Sequence, residues 1–157
     1  MLKLLFVCTG NTCRSPMAEA LFNNDPALEQ LPFKAVASSA GISAQGGEEA
    51  SPQIRRLLSR EGIWDLEKHV SRPVSQEVVD DAEIVLAMTG EHLRELIELY
   101  PHLEGKTFTI KSFASIDQGN PDIGDPLGSD EENYREVLED IRTCIKKVII
   151  KLMEGKE

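Results

Sequence analysis

Cysteine is scarce in this chain. Cys8, Cys13 and Cys144 are the only three in 157 residues, an odd number in a chain long enough to bury a core without staples. A disulfide framework is excluded, and a reducing cytoplasm is the compartment that this usage predicts. Zinc is poorly served, because Cys8 and Cys13 lack a second ligand pair at suitable spacing and Arg14 would repel the ion, so no metal is expected. Basic residues are outnumbered 17 to 27, leaving a net charge of −10. Nucleic acid needs a basic face and is not an expected partner. No apolar run is long enough to span a bilayer and no signal-peptide pattern is read, so a membrane is not expected either. The Gly-x4-Gly-Lys pattern of a nucleoside-triphosphate loop is absent. There is no internal repeat or linker, and a single domain over residues 1–157 is expected.

What the chain does have is the stretch Cys8-Thr9-Gly10-Asn11-Thr12-Cys13-Arg14-Ser15. The apolar run Leu2 to Val7 before it reads as a buried strand. Ser15-Pro16 after it reads as N-cap and first helical position, so a helix is expected to start there. Strand, tight loop and helix together put the loop at a helix N-terminus, where free backbone N–H groups and the helix dipole favour an anion. Gly10 is expected to allow the turn, and Asn11 tolerates left-handed backbone. Arg14 supplies a planar fork that can hold two phosphoryl oxygens. Cys8, at the strand end, faces the same site, in surroundings that favour a thiolate able to attack phosphorus. As a core thiol beside an unrelated surface arginine, this Cys-x5-Arg-Ser pattern would need two coincidences in six residues.

Val-Cys-Thr-Gly-Asn-Thr-Cys-Arg-Ser-Pro-Met-Ala-Glu (Val7–Glu19) resembles the signature of the low-molecular-weight protein tyrosine phosphatase family, and within it the bacterial protein arginine phosphatases. The resemblance implies an enzyme that hydrolyses a phosphorylated protein through a cysteinyl-phosphate intermediate, with no cofactor. Cys8, Arg14 and an aspartate would be catalytic. Thr9, Gly10, Asn11, Thr12, Cys13, Ser15 and, from a later loop, Leu127 would surround the substrate. A monomer is expected.

The rest of the chain alternates strands and helices. Phe33–Ser39, Glu83–Met88 and Lys106–Ile110 read as the further strands. Ser51-Pro52 opens a helix with Ile54, Leu57 and Leu58 on its apolar face, which Gly62 stops. A short helix is expected over Ser75–Asp81. Thr89 caps another, with Leu93, Leu96, Ile97 and Tyr100 on its apolar side, ended by Pro101. Ser129 and Glu132 have capping-box spacing. A final helix carries Tyr134, Val137, Leu138, Ile141, Ile145, Val148 and Leu152 on one stripe, with Cys144 as inert packing. This alternation predicts an α/β fold, a doubly wound four-stranded parallel sheet with helices on both faces. In such sheets ligands bind at the carboxyl ends of strands, where Cys8 lies.

A cysteinyl phosphatase also needs a proton donor. Residues 117–132 hold six acidic residues and no basic one, and composition alone does not choose among them. The resemblance selects Asp125, because the family carries its general acid in an Asp-Pro pair here; Asp122 is second. Pro126 biases Asp125 toward extended backbone. By the same resemblance Asn11, Ser15, Ser39 and His69 hold the loop in shape, and Cys13 matches a second loop cysteine that in relatives can form a reversible disulfide with the nucleophile. His92 and His102 match no site position and read as surface.

Two features bear on the substrate. Thr12 stands where the tyrosine enzymes usually have a bulky aliphatic residue, and a hydroxyl suits a guanidine better than a phenyl ring. Leu127-Gly128 follows Asp125-Pro126 where those enzymes usually place aromatic rings. Phosphoarginine is therefore the expected substrate, with phosphotyrosine second. An arsenate reductase would need a redox cysteine pair mid-chain, and residues 70–110 contain no cysteine. A phospho-residue binding module would need neither a thiolate nor an acid.

Overall fold

The computed structural model describes residues 1–155. In chain order its regular elements are β1 (Leu2–Cys8), α1 (Arg14–Asn23), β2 (Ala35–Gly41), α2 (Pro52–Ser59), α3 (Gln76–Asp81), β3 (Ile84–Ala87), α4 (Gly90–Leu99), β4 (Thr107–Thr109), α5 (Ile110–Phe113) and α6 (Glu131–Met153). The four strands form one sheet in the order β2-β1-β3-β4. Every pairing is parallel.

The burial of β1 follows from its place in the middle. Leu4, Leu5, Phe6 and Val7 are all essentially inaccessible, as a strand covered on both faces requires. Side chains alternate between the faces. Leu4, Phe6 and Cys8 join the core formed with α1, α2 and α6, whereas Leu5 and Val7 pack on the other face with Val79 of α3 and Leu96 of α4. The same parity splits β3, with Ile84 and Leu86 on the first face and Val85 and Ala87 on the second. From β1 the chain first builds outward through β2 and then crosses to β3 on β1's other side. The carboxyl end of β1, at Cys8, is thus the topological switch point of the sheet.

The stripe expected on α6 is buried, Cys144 included. Boundaries differ in instructive ways. β2 is shifted to Ala35–Gly41, because its register runs from Leu2↔Ala35 to Cys8↔Gly41; Phe33 lies before the ladder and is partly exposed. β4 is only Thr107–Thr109. α6 is capped by Asp130, which accepts from the Asn133 amide at 2.9 Å, and not by Ser129. The Ser129 hydroxyl is taken by the Pro126 carbonyl and the Asn133 side-chain amide, closing the turn just before the helix. α1 begins two residues earlier than expected, with Cys13 at the cap position and no side-chain cap.

The loop after β1 turns through Asn11, whose φ is +59°. Gly10 has no left-handed backbone, and a Cβ there would meet nothing closer than Thr12 Oγ1 at 3.8 Å. The glycine that the turn needs is Gly41, at the end of the neighbouring strand. A Cβ on Gly41 would lie 2.6 Å from the Thr9 carbonyl oxygen and 2.9 Å from the Asn11 nitrogen. Gly41→Ala is therefore expected to cost about 1–3 kcal/mol of stability by overpacking against backbone. Gly105→Ala, at a site with open space, should stay within about 0.5 kcal/mol. Paired denaturant melts check this, and equal midpoints for the two variants would contradict it.

Candidate active site

The carbonyls of the Cys8–Cys13 loop are drawn outward by the surrounding structure. Cys8 O accepts from Ile42 N at 2.9 Å, Thr9 O from Ser43 N at 2.9 Å, Thr12 O from Ser51 N at 2.9 Å and Cys13 O from Met17 N at 3.0 Å. The Asn11 carbonyl accepts from His69 Nε2 at 2.7 Å, and because a carbonyl cannot donate, the imidazole carries its proton on that nitrogen. With the oxygens engaged, the amides are left over. Among the described residues, no backbone N–H from Thr9 to Ser15 donates a hydrogen bond. Together with the uncapped start of α1 this makes a nest of donors for one anion.

Asn11 holds the loop from beneath and is fully buried. Its Nδ2 donates to Ser15 Oγ at 2.9 Å and to Ser39 Oγ at 3.0 Å, while its Oδ1 accepts from Arg72 N at 2.9 Å. The proton order of this network can be read from its end. Glu19 Oε1 lies 2.6 Å from Ser39 Oγ, so Ser39 gives its proton to the carboxylate and accepts from Asn11. Ser15 likewise accepts from Asn11, which leaves the Ser15 proton free for Cys8 Sγ, 2.9 Å away. This explains why Ser15 does not cap α1: its side chain is spent on the sulfur. Arg72 Nε, donating to Ser39 O at 2.9 Å, completes the frame.

Arg14 is 5 % exposed. Its Nη1 donates to the Ile123 carbonyl at 2.8 Å, and its Nη2 lies 3.5 Å from Asp125 Oδ2. One arm of the fork is thus held by the acidic loop, and the other faces the half-exposed Asp125 carboxylate. The loop is pinned in turn, since Ile123 N donates to Met88 O at 2.8 Å at the end of β3. Asp125 Oδ1 accepts from Leu127 N at 3.1 Å, a turn that fixes the carboxylate against its own backbone. Asp122 is committed elsewhere: its Oδ1 accepts from Gly90 N at 2.8 Å, at the start of α4.

The structure thus gathers Cys8, Arg14 and Asp125 at one place, with Thr9, Gly10 and Thr12 on the open side of the loop. Asn11, Cys13 and Ser15 are buried, so toward an anion they offer backbone N–H groups while their side chains face inward. Leu127 is 71 % exposed, and Pro126 is buried behind it. The Cys13 thiol is pushed up to about 12, by burial first and then by Cys8. It is held as a thiol at neutral pH, and all three cysteines are free. That protonated state makes it a slow partner for the disulfide that the resemblance implies.

Four contributors escaped sequence reading. Glu19, Arg72 and Gly41 act on the loop only across the fold. His92, expected at the surface, is 5 % exposed and bonds through Nε2 to Thr9 Oγ1 at 2.8 Å. Its signal was present: it lies four residues before the buried Leu96, on the core-facing side of α4. His102 is exposed as expected, paired with Asp80.

The chain matches the family model described as low molecular weight phosphotyrosine protein phosphatase over residues 3–157. It is 43 % identical over 150 residues to a protein-arginine-phosphatase of Geobacillus stearothermophilus, covering 96 % of this chain and 95 % of the relative. A solved low molecular weight protein tyrosine phosphatase from T. tengcongensis superposes with a TM-score of 0.87 at 39 % identity, covering 96 % of this chain and 99 % of the other. A cysteine-to-serine mutant of the YwlE arginine phosphatase, solved with its active-site serine phosphorylated, superposes with a TM-score of 0.86 at 32 % identity, covering 96 % and 95 %. The chain therefore belongs to the low molecular weight phosphotyrosine protein phosphatase family.

Proposed function

We propose that this protein removes the phosphoryl group from phosphoarginine in proteins, using Cys8 as nucleophile, Arg14 and the Thr9–Ser15 amides as phosphate cradle and Asp125 as general acid. The observation that carries the reading is the convergence, at the mouth of one amide nest, of a sulfur accepting from Ser15, the Arg14 guanidinium and the Asp125 carboxylate. The Cys8 thiolate attacks phosphorus and the P–N bond breaks. Asp125 gives its proton to the departing guanidine nitrogen, so the broken P–N bond is replaced by an N–H bond and arginine leaves. Asp125, now ionised, accepts a proton from a water that attacks the phosphocysteine. The S–P bond breaks, inorganic phosphate leaves, and the Ser15 hydroxyl stabilises the returning thiolate. A phosphorylated serine in the place of the cysteine in a relative supports the covalent route. The chemistry calls for no metal or cofactor. The need for a reduced Cys8 supports a cytoplasmic setting.

Arginine is preferred over tyrosine on two grounds. The 43 %-identical relative is a protein-arginine-phosphatase, and Thr12 and Leu127 present a hydroxyl and an aliphatic side chain where a phenyl ring would want stacking. Phosphotyrosine is the second reading, favoured by the 39 %-identical tyrosine phosphatase structure. The kcat/KM ratio on phosphoarginine and phosphotyrosine peptides of matched sequence decides between them.

Three outcomes are expected. Cys8→Ser should lower turnover by ~10⁴-fold or more while still binding phosphate, and appreciable turnover in that variant rules the nucleophile out. Asp125→Asn should slow phosphoarginine peptides by about 10²–10⁴-fold and p-nitrophenyl phosphate much less, because its leaving group needs no proton. A larger loss from Asp122→Asn would move the acid to that residue. Thr12→Ile should shift the arginine-to-tyrosine ratio toward tyrosine by about ten- to a hundredfold, the cost of an unpaired buried polar group. An unchanged ratio removes Thr12 as the determinant.

A further inference from the structure

His92 has no part in the chemistry above, yet it is buried, and it touches the phosphate loop. It lies in the first turn of α4, with Nε2 2.8 Å from Thr9 Oγ1. Its Nδ1 is buried and has no hydrogen-bond partner among the described residues. We propose that His92 is a positioning residue: its neutral imidazole donates from Nε2 to the Thr9 hydroxyl and so holds the first peptide units of the phosphate loop in anion-binding shape. This rests on the Cys8–Ser15 loop being the phosphate cradle, and not on which phosphorylated residue the enzyme serves.

The tautomer follows from the unpartnered nitrogen. A buried N–H without an acceptor is rarer and costlier than a buried lone pair without a donor. The proton is therefore placed on Nε2, where Thr9 accepts it. Burial first, and then the Arg14 guanidinium, push the imidazole down to about 4, against the opposing pull of Glu91, Asp122 and Asp125. Neutrality matters here, since a second cation beside Arg14 would compete for the carboxylate that the reaction uses. The tether adds a side-chain bond where Ile42 N and Ser43 N already hold the Cys8 and Thr9 carbonyls. His69 and Ser51 hold the Asn11 and Thr12 carbonyls, whereas no other side chain bonds to the Thr9 side chain among the described residues. The same first turn of α4 receives Asp122 at Gly90 N, so one short segment touches both the phosphate loop and the acidic loop.

The test uses wild type, His92→Leu, His92→Gln, Thr9→Val and the double variant Thr9→Val/His92→Leu. Calorimetry with inorganic phosphate and steady-state kinetics on p-nitrophenyl phosphate are the readouts. His92→Leu is expected to weaken phosphate binding about three- to tenfold, the worth of one ordinary hydrogen bond. The loss should appear in KM more than in kcat. His92→Gln, whose amide can donate from a similar position, should recover most of it. Thr9→Val should match His92→Leu, and the double variant should be no worse than either. Stability gives an independent check. A group titrating near 4 when folded and 6.5 when unfolded contributes stability that is full above pH 6.5 and lost as pH falls through 4. His92→Leu should therefore lose less Tm than wild type between pH 7 and 4. Unaltered phosphate affinity in His92→Leu with only a lower Tm overturns the proposal, as do losses that add in the double variant. A wild type that binds no phosphate overturns the phosphatase reading and this one with it.

Discussion

The direction of a handful of peptide carbonyls decides whether this site exists. A backbone loop carries one donor and one acceptor per residue, so a loop that presents only donors inward must find acceptable partners for its oxygens outside. Ile42, Ser43, Ser51 and His69 supply them, and the amides that remain converge on the space above Cys8. Asn11 makes the geometry possible twice over, by adopting left-handed backbone and by filling the space beneath the loop with a fully bonded amide. Placing an apolar residue there would take one hydrogen bond each from Ser15, Ser39 and the Arg72 amide.

The electrostatics are local. The chain as a whole bears −10, and the acidic segment that supplies Asp125 adds to that charge. Anion binding must therefore come from short-range donors and one guanidinium, not from a general field. Arg14, nearly inaccessible in the free enzyme, is already oriented by the Ile123 carbonyl and faces Asp125 at 3.5 Å. A phosphate bound as proposed would meet a fork whose rotamers are settled, which would reduce the ordering cost of binding.

Much of this was legible from residue order alone. β1, the loop and α1 are encoded contiguously, with an apolar run, the Cys-x5-Arg-Ser spacing and the Ser-Pro start. The parallel sheet followed from the alternation of elements, and the α6 stripe from its period. What was not legible shares one physical character. Glu19, Gly41 and Arg72 act through contacts with residues far along the chain, and no local period announces them; the helical period puts His92 on the buried side of α4 but does not name Thr9 as its partner. Asp125 could be chosen from six acidic residues only by resemblance, because a carboxylate bound to Arg14 and one capping Gly90 look alike in sequence. The cap of α6 slipped by one residue because Ser129 and Asp130 are both good caps, and the turn before the helix claimed the serine.

The bonds that shape the phosphate loop span long stretches of chain: 28 residues to Ser39, 58 to His69, 83 to His92 and 109 to Ile123. Loop closure over such separations is slow and is rewarded only once the sheet has assembled. The eight-residue motif has no shape of its own, and an excised peptide carrying it would be an ordinary flexible thiol. During refolding, phosphate binding would lag behind the burial of the core, since the loop's last anchor, Ile123, lies beyond the final strand. With the roles proposed for Cys8, Arg14 and Asp125, catalytic competence would thus come late in folding, and a partly folded chain with an intact β1 and α1 would be silent.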